Sequence, residues 1–231
     1  MASSQQPTRT IAGVTVVDTD LVKAAQQYAR AHSDDMTYNH VMRSWLFGVT
    51  ISKKLEPFLG PVDPEAQAIA AIMHDLGWDN TGELISSDKR FEVDGAIAAR
   101  AWIDKQQKDG LASNLDESKK DLIWDAIALH TTPSIAAFKQ PLVQVVGAGI
   151  ASDFQGPTTD PTKTLTWDEY HAVTAEFPRL DLAAGIRRIL CGFAETKPQA
   201  TIESFSEQYG VRFIKGYKPT YGIDMVENSL P

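Results

Sequence analysis

The stretch AIAAIMHDLGWDN, residues 68–80, decides the fold. Its unbroken apolar run ends in His74 and Asp75, and a glycine follows two positions later. Asp63 and Pro64 precede the run and are the residue types that begin helices, one as N-cap and the other in the first turn. The stretch therefore predicts a buried helix whose carboxyl end presents His74 and Asp75, where the helix dipole favours a cation.

The rest of the chain predicts further helices on both sides of this stretch. Apolar residues recur at helical spacing, and capping residues, glycine and proline mark the ends. The predicted helices cover residues 20–32, 36–55, 62–75, 88–110, 117–133, 141–156, 166–177 and 182–195, and a short amphipathic piece follows at 202–209. Asp20 and Thr37 are the predicted N-caps of the first two helices, and Gly77 is the predicted end of the third. No alternation is long enough to predict a β-sheet, so the predicted fold class is all α.

The domain organisation follows from the length of the chain and from the distribution of these helices. At 231 residues the chain is expected to form one large domain. We expect a flexible N-terminal segment over residues 1–19 and a helical domain over residues 20–200. A C-terminal tail over residues 201–231 is expected to pack on that domain.

Composition and charge limit the classes of partner. Hydrophobic residues make up 43% of the chain and charged residues 23%, without an apolar run of about 18 residues, so we expect a soluble protein with no membrane partner. The net charge of -8 argues against nucleic acid and favours a small-molecule substrate. The single cysteine, Cys191, and a polar N-terminus without a secretory signal indicate the cytoplasm, with the nucleus as the alternative. Whether the chain forms a homo-oligomer stays open.

Potential metal ligands stand at the ends of several predicted helices. His40 lies in the first turn of the second helix, and His74 with Asp75 closes the third. Asp153 closes a later helix that is otherwise apolar, VQVVGAGIASDF. Imidazole and carboxylate groups bind divalent transition metals and leave positions for water, so this set predicts a metal site. The alternatives are a core histidine at His40 and, at Asp153, a residue that bonds its own turn.

The order of these residues resembles the HD-domain superfamily of metal-dependent hydrolases. It stands as His40 in YNHVMRS, His74 and Asp75 in IMHDLG, and Asp153 in ASDFQG. The resemblance covers residues 20–200 and implies a single-domain helical bundle. It also implies that these four side chains bind one catalytic divalent ion where the central helices converge. Zinc is the expected metal, with iron and manganese as alternatives.

A closer resemblance is to the fungal cyanamide hydratase-like branch of that superfamily. YNHVMRSW is similar to its YNHSMRVF, KRFEVDGA stands in the place of its MSFDIYGG, and EFPR with a later KP recurs near the C-terminus. The chain departs from the branch at LHTTPSIA, where the branch carries RHED, and after the KP, where the branch carries a tryptophan. The resemblance implies zinc-dependent addition of water to cyanamide.

Residues near the predicted metal site are candidates for proton transfer and substrate binding. His130, which closes the fifth predicted helix, is the predicted proton shuttle or substrate-facing group, because imidazole titrates near neutral pH. Glu92 is a candidate general base, or else an acid favoured by the dipole of its helix. The predicted catalytic set is His130, Asp75 and Glu92. The predicted substrate-binding residues are Trp78, Lys89, Arg90, Phe91, Asp94 and Thr131.

Three functions fit this pattern. The leading hypothesis is a hydratase or hydrolase in which metal-activated water attacks a small carbon–nitrogen multiple bond, as in cyanamide or a nitrile. The second is a phosphohydrolase that acts on a nucleotide or another phosphate ester, with Lys89 and Arg90 as the phosphate clamp. The third is a metal-stabilised sensor without turnover, in which protein ligands close the coordination sphere.

Overall fold

The computed structural model describes residues 6–159 and 164–229, and the fold in these ranges is helical with one small hairpin. The predicted all-α class is confirmed. The chain forms two compact units. The first comprises Met1–Ile85 and Phe91–Leu180, and the second comprises Ser86–Arg90 and Asp181–Pro231. Within the described ranges, no helix is long and apolar enough to cross a bilayer.

The first unit begins with an antiparallel hairpin of β1 (Thr8–Ile11) and β2 (Val14–Val17). Both residues of its two-residue turn, Ala12 and Gly13, have positive φ angles, as tight hairpin turns require. The valines of β2 are buried in the core. The prediction of no strands is therefore wrong in this segment, because strands of four residues are too short to show an alternating pattern. The sequence also led us to expect a flexible segment here.

Among its described residues, eight helices form the body of the first unit. They are α1 (Asp20–Ala31), α2 (Asp35–Leu59), α3 (Pro64–Met73), α4 (Phe91–Lys108), α5 (Glu117–Ala128), α6 (Pro133–Ala136), α7 (Pro141–Gln155) and α8 (Trp167–Glu176), with 3-10 turns at Leu76–Trp78 and Pro157–Thr159. The N-caps of α1 and α2 are Thr19 and Asp34, not the predicted Asp20 and Thr37. In each case the earlier side chain accepts the backbone N–H three residues later.

Helix α3 is the central element, and it begins as predicted. The Asp63 side chain accepts the N–H groups of Glu65 and Ala66, and Pro64 occupies the first turn. The nine residues of α3 after Pro64 are buried, as are His74 and Asp75, because the helix packs against α1, α2, α5 and α7. Its apolar faces therefore supply the rigid support at whose end His74 and Asp75 lie.

Gly77 has a different role from the predicted helix end. The helix ends at Met73, and Gly77 lies in the following 3-10 turn. A Cβ on Gly77 would lie 1.9 Å from the backbone oxygen of Phe91, so only glycine lets the start of α4 approach the turn this closely. Because α4 begins at Phe91, the predicted helical start at residue 88 is too early.

The backbones of α2 and α7 approach each other closely at two glycines, Gly48 and Gly149. A Cβ on Gly149 of α7 would lie 2.4 Å from the backbone oxygen of Ser44 and 2.7 Å from the Cα of Gly48, both on α2. Asp153 follows Gly149 by four residues and so lies on the same face of α7. The glycine contact thereby sets the distance at which Asp153 meets α2.

In the part that the structure describes up to residue 229, the second unit contains three helices and the short segment Ser86–Arg90. Its helices are α9 (Leu182–Thr196), α10 (Phe205–Phe213) and α11 (Gly222–Ser229), with a 3-10 turn at Pro198–Thr201. Helix α9 packs with α10 and with that turn, and Lys197 Nζ donates to the backbone oxygens of Ser86 and Lys89. The boundary between the two compact units follows Leu180, and the domain end at residue 200 stays a prediction.

We predict that Gly149→Ala destabilises the protein, whereas Gly147→Ala on the same helix does not. The added methyl group at residue 149 collides with the α2 backbone and costs about 1–3 kcal/mol or more. A Cβ at residue 147 meets nothing within 4 Å, so this control should be neutral or stabilising by up to about 1 kcal/mol. Urea unfolding of both variants measures the difference, and equal stabilities would show that α2 and α7 can separate without cost.

Candidate metal centre

Three imidazoles surround the carboxylate of Asp75. The Nε2 atoms of His74 and His40 lie 3.1 Å and 3.5 Å from Asp75 Oδ2, and the two Nε2 atoms are 3.2 Å apart. His130, in the turn after α5, places its Nε2 3.6 Å from Asp75 Oδ1. The side chains of all four residues are buried. Elements distant in sequence thus bring three nitrogen donors to one carboxylate.

The opposite ring nitrogen of each histidine is held by an acceptor. His74 Nδ1 lies 2.8 Å from the backbone oxygen of Ala71, and His130 Nδ1 lies 2.7 Å from that of Ile127. Because a carbonyl can only accept, both Nδ1 atoms carry the proton. His40 Nδ1 lies 2.7 Å from Asp153 Oδ2 and donates in the same way. In each neutral ring the lone pair is therefore on Nε2, the nitrogen that faces Asp75.

The group fits a divalent cation. Both oxygens of Asp75 are buried, and neither has a hydrogen-bond partner among the described residues. An uncompensated buried carboxylate is costly, and so is the approach of two imidazole lone pairs. Ligand atoms of His40, His74 and Asp75 all lie within 4.8 Å of one another, so one ion could satisfy all three. Nitrogen and carboxylate donors together suit zinc, iron or manganese.

In the absence of a metal, the group attracts a proton instead. Burial opposes protonation of His74, but the charge of Asp75 and the hydrogen bonds of the ring together outweigh it and raise the pKa of His74. Burial likewise opposes ionisation of Asp75, yet His74, His40 and His130 hold its pKa below the usual range. The centre of the group therefore favours positive charge, which either a proton or a metal ion can supply.

His130 differs from the near-neutral proton shuttle that the sequence predicted. Burial, followed by the charge of His74, lowers the pKa of His130 to about 4. The ring is therefore neutral at pH 7 and offers a lone pair on Nε2. This favours a role as acceptor, or as a further donor to a metal, over that of a near-neutral acid.

Asp153, the predicted fourth ligand, is engaged elsewhere. Its Oδ2 accepts from His40 Nδ1 and from Arg43 Nη2, and its Oδ1 accepts from Arg43 Nε, each at 2.7 Å. Burial alone would raise the pKa of Asp153, but the bonds from His40 and Arg43 lower it, so the carboxylate is ionised. Asp153 thus contacts the far side of the His40 ring and lies outside the group of His40, His74 and Asp75.

Arg43 belongs to the YNHVMRS motif, but the sequence alone predicted no role for it. It is completely buried, and its remaining nitrogen, Nη1, donates to the backbone oxygens of Phe177 and Pro178 at 3.0 and 3.1 Å. Its position three residues after His40 on α2 places both side chains on one face. That spacing was the signal in the sequence that could have indicated a role for Arg43. The pairing with Asp153, 110 residues away, could not be read from the sequence.

Aromatic side chains enclose the imidazoles. Trp78 stacks on His40 with ring centroids 6.2 Å apart and contacts Phe91 at 5.6 Å, and Phe91 contacts His130 at 5.6 Å. Phe154, which the sequence did not single out, lies 5.0 Å from His40 and is 45% exposed. The indole Nε1 of Trp78 is buried and has no hydrogen-bond partner among the described residues. The wall is apolar except for this donor.

Comparison with known proteins agrees with this geometry. The profile of the HD domain family matches residues 37–170, which is more than half of the 231-residue chain. The chain belongs to the HD domain family. HD domains bind divalent metals and are generally metal-dependent hydrolases, so the predicted superfamily is confirmed. No curated protein matched the chain.

The other predicted site residues of the HD domain chain fall into two sets. In the first unit, Glu92 is buried and accepts a hydrogen bond from Thr131 Oγ1, and Asp94 is also buried in the first turn of α4. In the second unit, Lys89 pairs with Asp88 and Arg90 donates to the backbone oxygen of Glu203. Both predicted phosphate-clamp residues therefore contact partners within the second unit.

His32, at the end of α1, pairs with a buried carboxylate. Its side chain is 11% exposed, and its Nδ1 lies 3.0 Å from Oδ1 of the buried Asp79. The same carboxylate accepts the N–H groups of Thr81 and Leu84. Asp79 therefore closes the loop that directly follows Trp78, and the pair with His32 ties that loop to the end of α1.

We predict that metal affinity keeps rising with pH above 6.5. Because the pKa of His74 is raised above 6.5, a proton still competes with the metal at that pH. Displacement of one proton weakens apparent affinity about tenfold for each pH unit below the pKa. Competition against a fluorescent zinc chelator, corrected for the chelator's own protonation, measures this slope. His171→Gln, a change on α8, should leave the slope unchanged, and an affinity that levels off below pH 6.5 would contradict the assignment.

Proposed function

We propose that this HD domain protein is a metal-dependent hydratase or hydrolase that adds water to a small carbon–nitrogen substrate such as cyanamide or a nitrile. The observation that carries the proposal is the Asp75 carboxylate, which faces three Nε2 atoms inside an apolar, buried wall. The protein's acidic net charge of -8 fits a small uncharged substrate better than a polyanion.

The donors of the metal are His40, His74 and Asp75. Three protein donors leave open positions, which distinguishes a catalytic site from a closed structural one. Zinc is the proposed metal, with iron and manganese as alternatives for the same donor set. When bound, the ion supplies Lewis acidity that lowers the pKa of water from 15.7 to about 7.

His130 is the proposed proton acceptor beside these donors. Its neutral ring directs the Nε2 lone pair toward Asp75 Oδ1, so a water molecule in the site can donate to it. The charges of Asp75 and Glu92 raise the pKa of His130 against the stronger effect of burial. Glu92, oriented by Thr131, is therefore the proposed second acidic partner in proton transfer.

The aromatic wall supports a compact substrate with a hydrogen-bond acceptor. Trp78 and Phe91 offer flat apolar surface next to His40 and His130. The buried indole Nε1–H of Trp78 needs an acceptor, and a nitrile nitrogen or carbonyl oxygen is one. This wall offers one donor and no cation, which favours a neutral group over a phosphate at this position.

We predict that the purified protein binds one transition metal ion and loses it in His74→Ala. Removal of a buried donor that faces Asp75 should abolish stoichiometric binding, whereas His171→Ala, on the exposed face of α8, should keep it. Elemental analysis after zinc reconstitution measures the content. The reconstituted protein is then assayed with cyanamide, small nitriles and nucleotides. Full metal content in His74→Ala would refute the donor set, and turnover of nucleotides alone would refute the substrate class.

We predict that His130→Ala keeps the metal but loses turnover. A general acid–base group contributes about 10²- to 10⁴-fold to rate, so the loss should exceed assay error by far. Metal content and rate are measured on the same preparation, because they separate the two roles of the ring. Loss of both together would make His130 a ligand, and retention of both would make it a helix-end residue that bonds only Ile127.

A further inference from the structure

One aromatic ring of the wall around His40 reaches solvent. Trp78 and Phe91 are 8% and 2% exposed, whereas Phe154 is 45% exposed. The ring of Phe154 still contacts the imidazole of His40, with centroids 5.0 Å apart and an angle of 44° between the planes, which is within the range of aromatic pairs. Phe154 therefore contacts both solvent and a proposed donor of the metal.

The last turn of α7 places Phe154 in this position. The preceding residue, Asp153, is buried and bonds His40, and successive side chains of an α-helix point about 100° apart. Phe154 is therefore turned away from the interior by part of a turn. The helix then ends at Gly156, which has a φ of 64° and donates its N–H to the backbone oxygen of Ser152. Because no further turn of α7 follows, the helix itself does not cover the ring.

We infer that Phe154 is the gate of the proposed metal site and that it limits the size of the compounds that reach the donors. The inference rests on the proposed function, because it concerns which carbon–nitrogen substrates enter. The side chains of His40, His74 and Asp75 are at most 1% exposed, so no solute reaches them unless a neighbouring side chain moves. An exposed side chain changes rotamer within nanoseconds, whereas a close-packed one moves only with its neighbours. Of the three rings in the wall, Phe154 is the one that can move without disturbing the core.

The turn after α5 is the alternative entrance, since Thr131 and Thr132 are half-buried. A hydrogen bond from Thr131 Oγ1 to the buried Glu92 ties this turn to α4. A hydrogen bond fixes direction as well as distance, whereas the apolar contact of the Phe154 ring does not. The geometry therefore favours Phe154 as the side chain that opens.

A gate formed by one phenyl ring selects small, unbranched substrates. Cyanamide is compact and linear around its nitrile carbon, whereas isobutyronitrile carries a branched carbon that would have to displace the ring. Discrimination of one methylene group in an apolar pocket changes kcat/KM about 10- to 200-fold. Loss of the Phe154 ring removes more than one methylene group, so the preference for cyanamide over isobutyronitrile should fall by about tenfold or more.

The first test measures zinc exchange in the parent, Phe154→Ala, Phe154→Leu and Phe154→Trp. An open gate lowers the barrier for entry and exit alike, so Phe154→Ala should speed zinc association and EDTA-driven release by the same factor, about tenfold, and leave the dissociation constant unchanged. Phe154→Leu should lie between Phe154→Ala and the parent, and Phe154→Trp should slow both steps. Stopped-flow mixing with a fluorescent zinc indicator measures the rates, and chelator competition measures the affinity.

The control is Phe58→Ala, which removes an exposed phenyl ring elsewhere. Phe58 is 84% exposed near the end of α2, about 27 Å from His40 along the helix axis. This variant should exchange zinc at the parent rate. A merely structural role for Phe154 would weaken zinc affinity by accelerating release alone, and that result overturns the inference. Parent-like rates in Phe154→Ala also overturn it and place the entrance elsewhere.

The second test needs neither zinc nor a substrate. In the metal-free protein, diethyl pyrocarbonate carbethoxylates imidazole lone pairs, and that of His40 is on Nε2 inside the wall. Phe154→Ala should raise the rate of His40 modification about tenfold, whereas the exposed His171 should react as in the parent. Peptide mass spectrometry locates and measures each product. Destabilisation would also accelerate the reaction in Phe154→Trp, so slower modification of His40 in that variant supports the gate, and a rate at or above that of the parent overturns it.

The third test measures kcat and KM of the zinc-loaded variants with cyanamide and isobutyronitrile. Phe154→Ala should raise the kcat/KM of isobutyronitrile relative to cyanamide about tenfold or more, chiefly through KM, because access affects substrate capture and not the chemical step. An unchanged ratio contradicts the size limit. If the protein binds no zinc or turns over neither compound, the proposed function fails, and carbethoxylation of the metal-free protein still decides whether Phe154 controls access.

Discussion

The close approach of α2 and α7 is the constraint on which the site depends. Gly48 and Gly149 let the two backbones meet. About one turn away, before Gly48 on α2 and after Gly149 on α7, Arg43 contacts Asp153. Burial of this ion pair carries a large desolvation cost, which short bidentate contacts and two backbone acceptors offset. The pair therefore contributes geometry more than stability, because it fixes where the His40 ring lies.

The end of α3 supplies the second half of the site, and its packing explains how the chain tolerates unfavourable polar contacts there. The carboxylate of Asp75 has no hydrogen-bond partner among the described residues, and His40 Nε2 and His74 Nε2 lie 3.2 Å apart. Buried apolar residues of α3 and the close contact of Gly77 with Phe91 hold the turn in place in spite of this cost. Such local conflict between groups is expected at functional sites, and a bound divalent cation would relieve it.

Local rules made much of the fold and part of the site predictable from sequence. Asp63 and Pro64 gave a firm start for α3, and the helical periods marked α2, α5 and α7. The hairpin was missed because its strands are short, and Phe154 was missed because an exposed aromatic beside an aspartate carries no pattern. The contacts of Asp153 could not be predicted, since Arg43 lies 110 residues away and only the packing of α2 on α7 brings the two together.

The Nδ1 acceptors of the three histidines come partly from local structure and partly from tertiary packing. His74 and His130 take their Nδ1 acceptors from the carbonyl three residues earlier, so the tautomer of each follows from its own helix end. His40 takes its acceptor from α7, so its tautomer depends on tertiary packing. Changes that loosen α2 from α7 should therefore disturb His40 first and leave the other two rings in place. We therefore expect the affinity of the proposed site for a cation to depend on the packing of this helix pair.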